Sequence, residues 1–135
     1  MKLLTRDTDY AVRAICCMAS KPGQLITVKK LADDLKMPRA FLRKILQRLN
    51  KVGLVRSTKG SGGGFRLSGD PRKITLADLI EAFQGPLSIN ECTFKKRACP
   101  NRRECPLKSK IEEIEDYVAA ELRSTSIGSL LTKGS

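Results

Sequence analysis

Thr27-Val28-Lys29-Lys30-Leu31-Ala32-Asp33-Asp34-Leu35-Lys36-Met37-Pro38-Arg39-Ala40-Phe41-Leu42-Arg43-Lys44-Ile45-Leu46-Gln47-Arg48-Leu49-Asn50-Lys51-Val52-Gly53 is the stretch whose reading decides the fold. Thr27 suits an N-cap, because its hydroxyl can accept from a first-turn N–H. It opens a short helix, Val28 to Leu35, with Val28, Leu31 and Leu35 inward. Lys36-Met37 forms a turn. Pro38 stands where a following helix begins, a position that needs no N–H. That helix runs from about Pro38 to Val52, with Phe41, Leu42, Ile45, Leu46 and Leu49 as its apolar stripe and Gly53 as its stop. Arg39, Arg43, Lys44, Gln47, Arg48 and Lys51 occupy the remaining faces. Two short helices across a tight turn, the second amphipathic and basic, form the helix-turn-helix pattern.

Downstream, Leu54-Val55-Arg56-Ser57-Thr58 and Phe65-Arg66-Leu67-Ser68 flank Lys59-Gly60-Ser61-Gly62-Gly63-Gly64. Two strand-like pieces around a glycine-rich tip read as a hairpin, and in this position as a wing. The glycines would let its backbone approach a duplex closely. The glycine run lacks a Gly-Lys-Ser/Thr ending and a following helix, so it is not a nucleotide-binding loop. Upstream, a helix from Thr8 to about Ser20 turns Ala11, Val12, Ile15, Met18 and Ala19 inward, and Lys21-Pro22-Gly23 ends it. After Gly69-Asp70-Pro71, Thr75 can cap a fourth helix, Leu76 to Phe83. The fold class is mainly α with a small β-wing: a winged helix-turn-helix domain over 1–84, followed by a long C-terminal helix.

Composition points the same way. Lys plus Arg number 26 against 14 Asp plus Glu, a formal charge of +12 in 135 residues. Such an excess favours a polyanionic partner, here double-stranded DNA. Arg39, Arg43, Lys44 and Gln47 are placed to meet base edges, Arg pairing with guanine and Gln with adenine. Arg48 lies further along and suits phosphates, and Lys59 and Arg66 lie on the wing. Sparse aromatics (4% of residues) argue against an RNA module built on base stacking. The absence of histidine removes the commonest general base, and no nucleophile–base pair is evident, so an enzyme is not expected. No signal peptide or membrane span is apparent, which makes a cytoplasmic protein without membrane association the expectation.

The segment 85–106 has no clear period and carries Cys92, Cys99 and Cys105 as C-x6-C-x5-C, among basic residues that favour thiolates. The spacing is too wide for a zinc knuckle of paired C-x2-C turns, whereas iron–sulfur ligands tolerate irregular spacing. Iron–sulfur ligation, structural zinc, a thiol switch and inert thiols all remain open on spacing alone. Cys16 and Cys17 sit mid-helix and read as small core residues. A last helix over 107–123 places Leu107, Ile111, Ile114, Tyr117, Val118 and Leu122 in a heptad-like seam. Residues 124–135 read as a flexible tail.

Asp9-Tyr10-Ala11-Val12-Arg13-Ala14, Leu54-Val55 leading into the glycine wing, Ile74-Thr75-Leu76-Ala77-Asp78-Leu79-Ile80 and the three cysteines together resemble the Rrf-two (Rrf2) family of bacterial winged-helix regulators, which embraces IscR-, NsrR- and RirA-like proteins. The resemblance implies a homodimer through the C-terminal helix. It implies an iron–sulfur cluster on Cys92, Cys99 and Cys105, with DNA affinity governed by cluster state, and a repressor on a pseudo-palindromic operator. In IscR-like members the fourth ligand is a histidine after the third cysteine. This chain has none, with Lys108 in that region. In NsrR-like members the fourth ligand is an aspartate early in the first helix, donated by the partner subunit to a [4Fe–4S] cluster, and Asp9 matches it. A [4Fe–4S] cluster is therefore favoured over [2Fe–2S], with nitric oxide among the possible signals. At the wing tip, where family members often carry arginine, Lys59 keeps the charge but not the planar fork.

Overall fold

The computed structural model describes residues 3–60, 63–87 and 105–133, the side chains of 132 and 133 excepted. Among the described residues, six helices and one hairpin follow in the order α1 (Arg6–Ala19), α2 (Val28–Leu35), α3 (Arg39–Lys51), β1 (Val55–Thr58), β2 (Gly64–Leu67), α4 (Leu76–Gln84), α5 (Pro106–Ser124) and α6 (Ile127–Lys133), with a 3₁₀ turn at Pro71–Lys73. The chain is a winged helix, as its pattern predicts.

Helix α1 begins two residues earlier than its apolar period announces. The Thr5 hydroxyl accepts from the Thr8 N–H at 3.3 Å, and Asp7 and Asp9 in the first turn complement the helix dipole. Helix α2 has the predicted bounds, and the Thr27 hydroxyl accepts from Lys30 N–H. The turn to α3 places Lys36 at φ +56°, ψ +47°, a left-handed conformation that closes α2 through its N–H to the Ala32 carbonyl. Pro38 is the N-cap of α3 rather than its first residue. Helix α4 carries a reciprocal capping box between Thr75 and Asp78.

One core holds the head together. Ala11, Ala14, Ile15 and Met18 of α1, Leu31 of α2, Leu42, Ile45, Leu46 and Leu49 of α3, Val55 of β1 and Leu79 of α4 are all buried. Removing each large aliphatic side chain from water stabilises the fold by about 1.5–3 kcal/mol. The hairpin is antiparallel, with Val55 opposite Leu67 and Thr58 opposite Gly64. A third backbone segment joins it: Ile26 and Phe65 exchange N–H···O bonds at 2.8 Å both ways. A Cβ at Gly64 would lie 2.5 Å from the Ile26 carbonyl oxygen, so this glycine is required by an internal approach of backbone to backbone.

Residues 127–133 correct the expectation of a flexible tail. They form α6, which packs against α1 and the 3₁₀ turn, with Ile127 fully buried and Leu130 and Leu131 against the core. Ser126 bridges Thr75, and the Ile127 N–H donates to the Ile74 carbonyl at 2.8 Å. Small polar composition suggested fraying, but Ile127, Leu130 and Leu131 at helical spacing give this short segment one apolar face. Ile127→Ala is expected to cost about 2–4 kcal/mol in urea unfolding, as a core truncation does. A change below about 0.5 kcal/mol would mean that α6 contributes nothing.

Candidate functional site

The core that buries one side of α3 leaves the other side to solvent. At about 100° per residue, Arg39, Arg43 and Gln47 fall within an arc of about 80°, and Lys51 and Lys44 follow at about 120–140° from Arg39. All five are exposed. Pro38 offers no side-chain cap to the first turn. The first-turn N–H groups of α3 thus receive no hydrogen bond from the N-cap side chain, and a helix start of that kind suits an anion. Ion pairs form instead on α1 (Arg13–Asp9), α2 (Lys30–Asp34), the 3₁₀ turn (Arg72–Asp70) and α5 (Lys108–Glu112).

Arg48 behaves differently from its neighbours. Its Nε donates to the Ala82 carbonyl at 3.0 Å, so the side chain expected at a phosphate leans onto α4. The wing adds a residue that the sequence reading passed over. Arg56 stands directly opposite Arg66 across the ladder, and both are exposed. Like charges facing one another across a strand pair repel, and a polyanion relieves that repulsion. Only the register reveals the pair, since Arg56 sits among ordinary strand residues. Lys59 follows β1 and is exposed.

The phenyl ring of Phe41 on α3 receives two groups from the start of α1. Tyr10 meets it edge-on with ring centroids 5.3 Å apart, and the Arg6 guanidinium lies 5.0 Å from its centroid. Motion at the start of α1 therefore bears on the basic helix through direct contact. Asp9, one turn in, is half-exposed and accepts from Arg13 Nε at 3.2 Å. A surface pair one helical turn apart is worth only about 0.3–0.5 kcal/mol, so the carboxylate is readily released to another partner.

Of the three predicted cysteine ligands, Cys92 and Cys99 lie outside the described residues. Cys105 is the N-cap of α5, half-buried, its Sγ accepting from the Lys108 N–H at 3.4 Å. Among the described residues no three of His, Cys, Asp and Glu converge on one point. Cys16 and Cys17 are free and partly buried. Burial pushes both thiols above their ordinary range, reinforced at Cys16 by Cys17 and at Cys17 by Asp34. They remain protonated near neutrality and behave as small apolar groups, as expected.

Helix α5 packs on α4 through its C-terminal part. Leu122 is buried against Ala77 and Ile80 of α4, but further out Leu107 is 67% exposed, Ile114 43% and Tyr117 71%. The seam anticipated from spacing is thus covered at Leu122, partly covered at Ile111 and Val118, and open at Leu107, Ile114 and Tyr117. Among the described residues no helix is long and apolar enough to cross a membrane.

Comparison with known proteins places this geometry in context. The family model Rrf2, described as an iron-dependent transcriptional regulator, matches residues 4–133. A putative HTH-type transcriptional regulator of Aquifex aeolicus is 33% identical over 124 residues, covering 90% of this chain and 86% of the relative. The HTH-type transcriptional regulator NsrR of Bacillus subtilis is 32% identical over 112 residues, covering 82% and 77%. Among solved structures, CymR, the global cysteine regulator of B. subtilis, superposes with a TM-score of 0.80 at 28% identity, covering 98% of both chains.

Proposed function

The chain belongs to the Rrf2 family of transcriptional regulators, and from that premise we propose that it is a homodimeric, iron–sulfur-sensing repressor that reads a pseudo-palindromic operator. The observation that carries the DNA half is the outward basic face of α3 beside the Arg56–Arg66 wing. Arg39, Arg43 and Gln47 reach base edges in the major groove, and Lys44 reaches base edges or the adjacent backbone. Lys59, Arg66 and Arg56 hold the flanking phosphates or the minor groove. The open seam of α5 joins two copies, which sets two reading heads against two half-sites.

For the sensor, Cys92, Cys99 and Cys105 hold the cluster, and the partner subunit's Asp9 supplies the fourth ligand. Support comes from the donor set itself, three thiols and a carboxylate with no imidazole in the chain. A [4Fe–4S] cluster, favoured over [2Fe–2S], would supply a centre that nitric oxide, oxygen or iron shortage can dismantle. Asp9 lies one residue from Tyr10, which packs on Phe41 of α3. A tether at Asp9 therefore bears on the reading helix, and DNA affinity shifts by the difference in how the two states hold it. The likeness to a global cysteine regulator favours a second reading, a thiol-redox or zinc-stabilised switch using the same cysteines without a cluster.

Anaerobic purification and reconstitution distinguish the two. The expected product is coloured, with iron, sulfide and a visible charge-transfer band. Colourless, iron-free protein whose DNA binding responds to peroxide would establish the thiol switch instead. On DNA, Arg43→Ala should change sequence preference, costing about 1–3 kcal/mol at one base position, while Lys59→Ala should weaken binding uniformly and lower the salt slope by about one. Intact operator affinity in both variants would refute the docking. Ile114→Glu should convert the dimer to a monomer in size-exclusion light scattering, and a dimer that survives it is not built on this seam.

A further inference from the structure

Three side-chain hydrogen bonds that link distant parts of the chain converge on the last turn of α4. Arg48 of α3 donates to the Ala82 carbonyl at 3.0 Å, across 34 residues of sequence. The Gln84 Oε1 accepts from the Thr5 N–H at 2.9 Å, and its Nε2 donates to the Leu3 carbonyl at 3.2 Å, across 79 and 81 residues. Gly85 then ends the helix at φ +80°.

Each bond has a local cause. The final carbonyls of a helix lack intrahelical donors and carry partial negative charge, which a guanidinium satisfies. The Gln84 amide offers one acceptor and a donor pair on a single planar group, so it pairs with residues 3 and 5 as a neighbouring strand would. Thr5 is also the residue whose hydroxyl caps α1. The turn thus grips the start of α1 on one side and the basic helix on the other. Arg48 is exposed as Arg39, Arg43 and Lys44 are, but its guanidinium is engaged at the Ala82 carbonyl.

We propose that the last turn of α4 is the junction that sets the pose of α3 on DNA, with Arg48 and Gln84 as positioning residues, Arg48 acting inward on Ala82 rather than outward on phosphate. The proposal rests on the reading of α3 as the DNA-contacting helix. A phosphate contact and a positioning contact leave different signatures. Losing the first weakens all sequences alike and lowers the salt slope, whereas losing the second blurs discrimination and leaves the slope in place.

The experiment uses the full chain and a duplex that it selects from a random pool. Affinity for that duplex and for scrambled duplex is measured across a salt series for wild type, Arg48→Met, Gln84→Leu and the double variant, with Arg48→Gln as a milder alternative. Circular dichroism confirms folding, which the exposed setting of Arg48 and the half-buried setting of Gln84 favour. The expected result is a loss of about tenfold in the selected-to-scrambled ratio for each single variant, with an unchanged salt slope, and a double variant little worse than either, as a shared junction requires. A salt slope lower by about one in Arg48→Met with discrimination intact would make Arg48 a phosphate contact and overturn the proposal. An unchanged ratio in Gln84→Leu would overturn it equally. Wild-type protein that enriches no duplex would instead sink the DNA-contact reading of α3 itself.

Discussion

The orientation of α3 is the constraint on which the rest of the structure depends. Leu42, Leu46 and Leu49 are wholly buried and Ile45 nearly so, gripped by α1, α2, β1 and α4. Turning the helix by one residue, about 100°, would drive arginine and lysine into that apolar pocket, at a cost of several kcal/mol for each unpaired charge. The packing therefore fixes not only where the helix lies but which side chains it shows. The outward charge needs no dedicated support of its own. It is the remainder left when one stripe of a thirteen-residue helix is committed to the core.

Self-repulsion is the other side of this arrangement. A chain of formal charge +12 that sets Arg56 against Arg66 and crowds cations on α3 raises the energy of its unbound state. Neutralisation by a polyanion recovers that energy, together with the release of the counterions condensed on the duplex. Surface electrostatics that look unfavourable in isolation thus form part of the driving force for association.

Much of this was legible in the chain. The bounds of α2, the apolar stripe of α3, the Thr75 cap and the hairpin all announce themselves through period and capping chemistry, which are local signals. What escaped was tertiary. Nothing near Arg48 indicates that it meets Ala82, because the partner is a backbone carbonyl 34 residues away. Arg56 became notable only once the register set it against Arg66. Gly64 looked like a concession to a duplex and proved to be a concession to Ile26, whose pairing adds an edge that no strand signal foretold. Residues 127–133 were misread because a seven-residue segment carries too few turns for its period to stand out against small polar neighbours. For the cysteines, spacing left several chemistries open, and only Cys105 among the three predicted ligands lies within the described residues.

The docking of α6 against α1 has a consequence for how the molecule comes into being. Synthesis proceeds from the N-terminus at about 5–20 residues per second. Helices α1 to α4 emerge with the site that Ile127 fills still bare, and the long charged α5 must follow before that residue arrives. Helices α1 and α6 pack against one another, although α2 to α5 lie between them in sequence. A nascent polypeptide thus completes its reading head only when residues 127–133 clear the ribosome, and a product truncated before them lacks the Ile127 side chain on which the head's core relies.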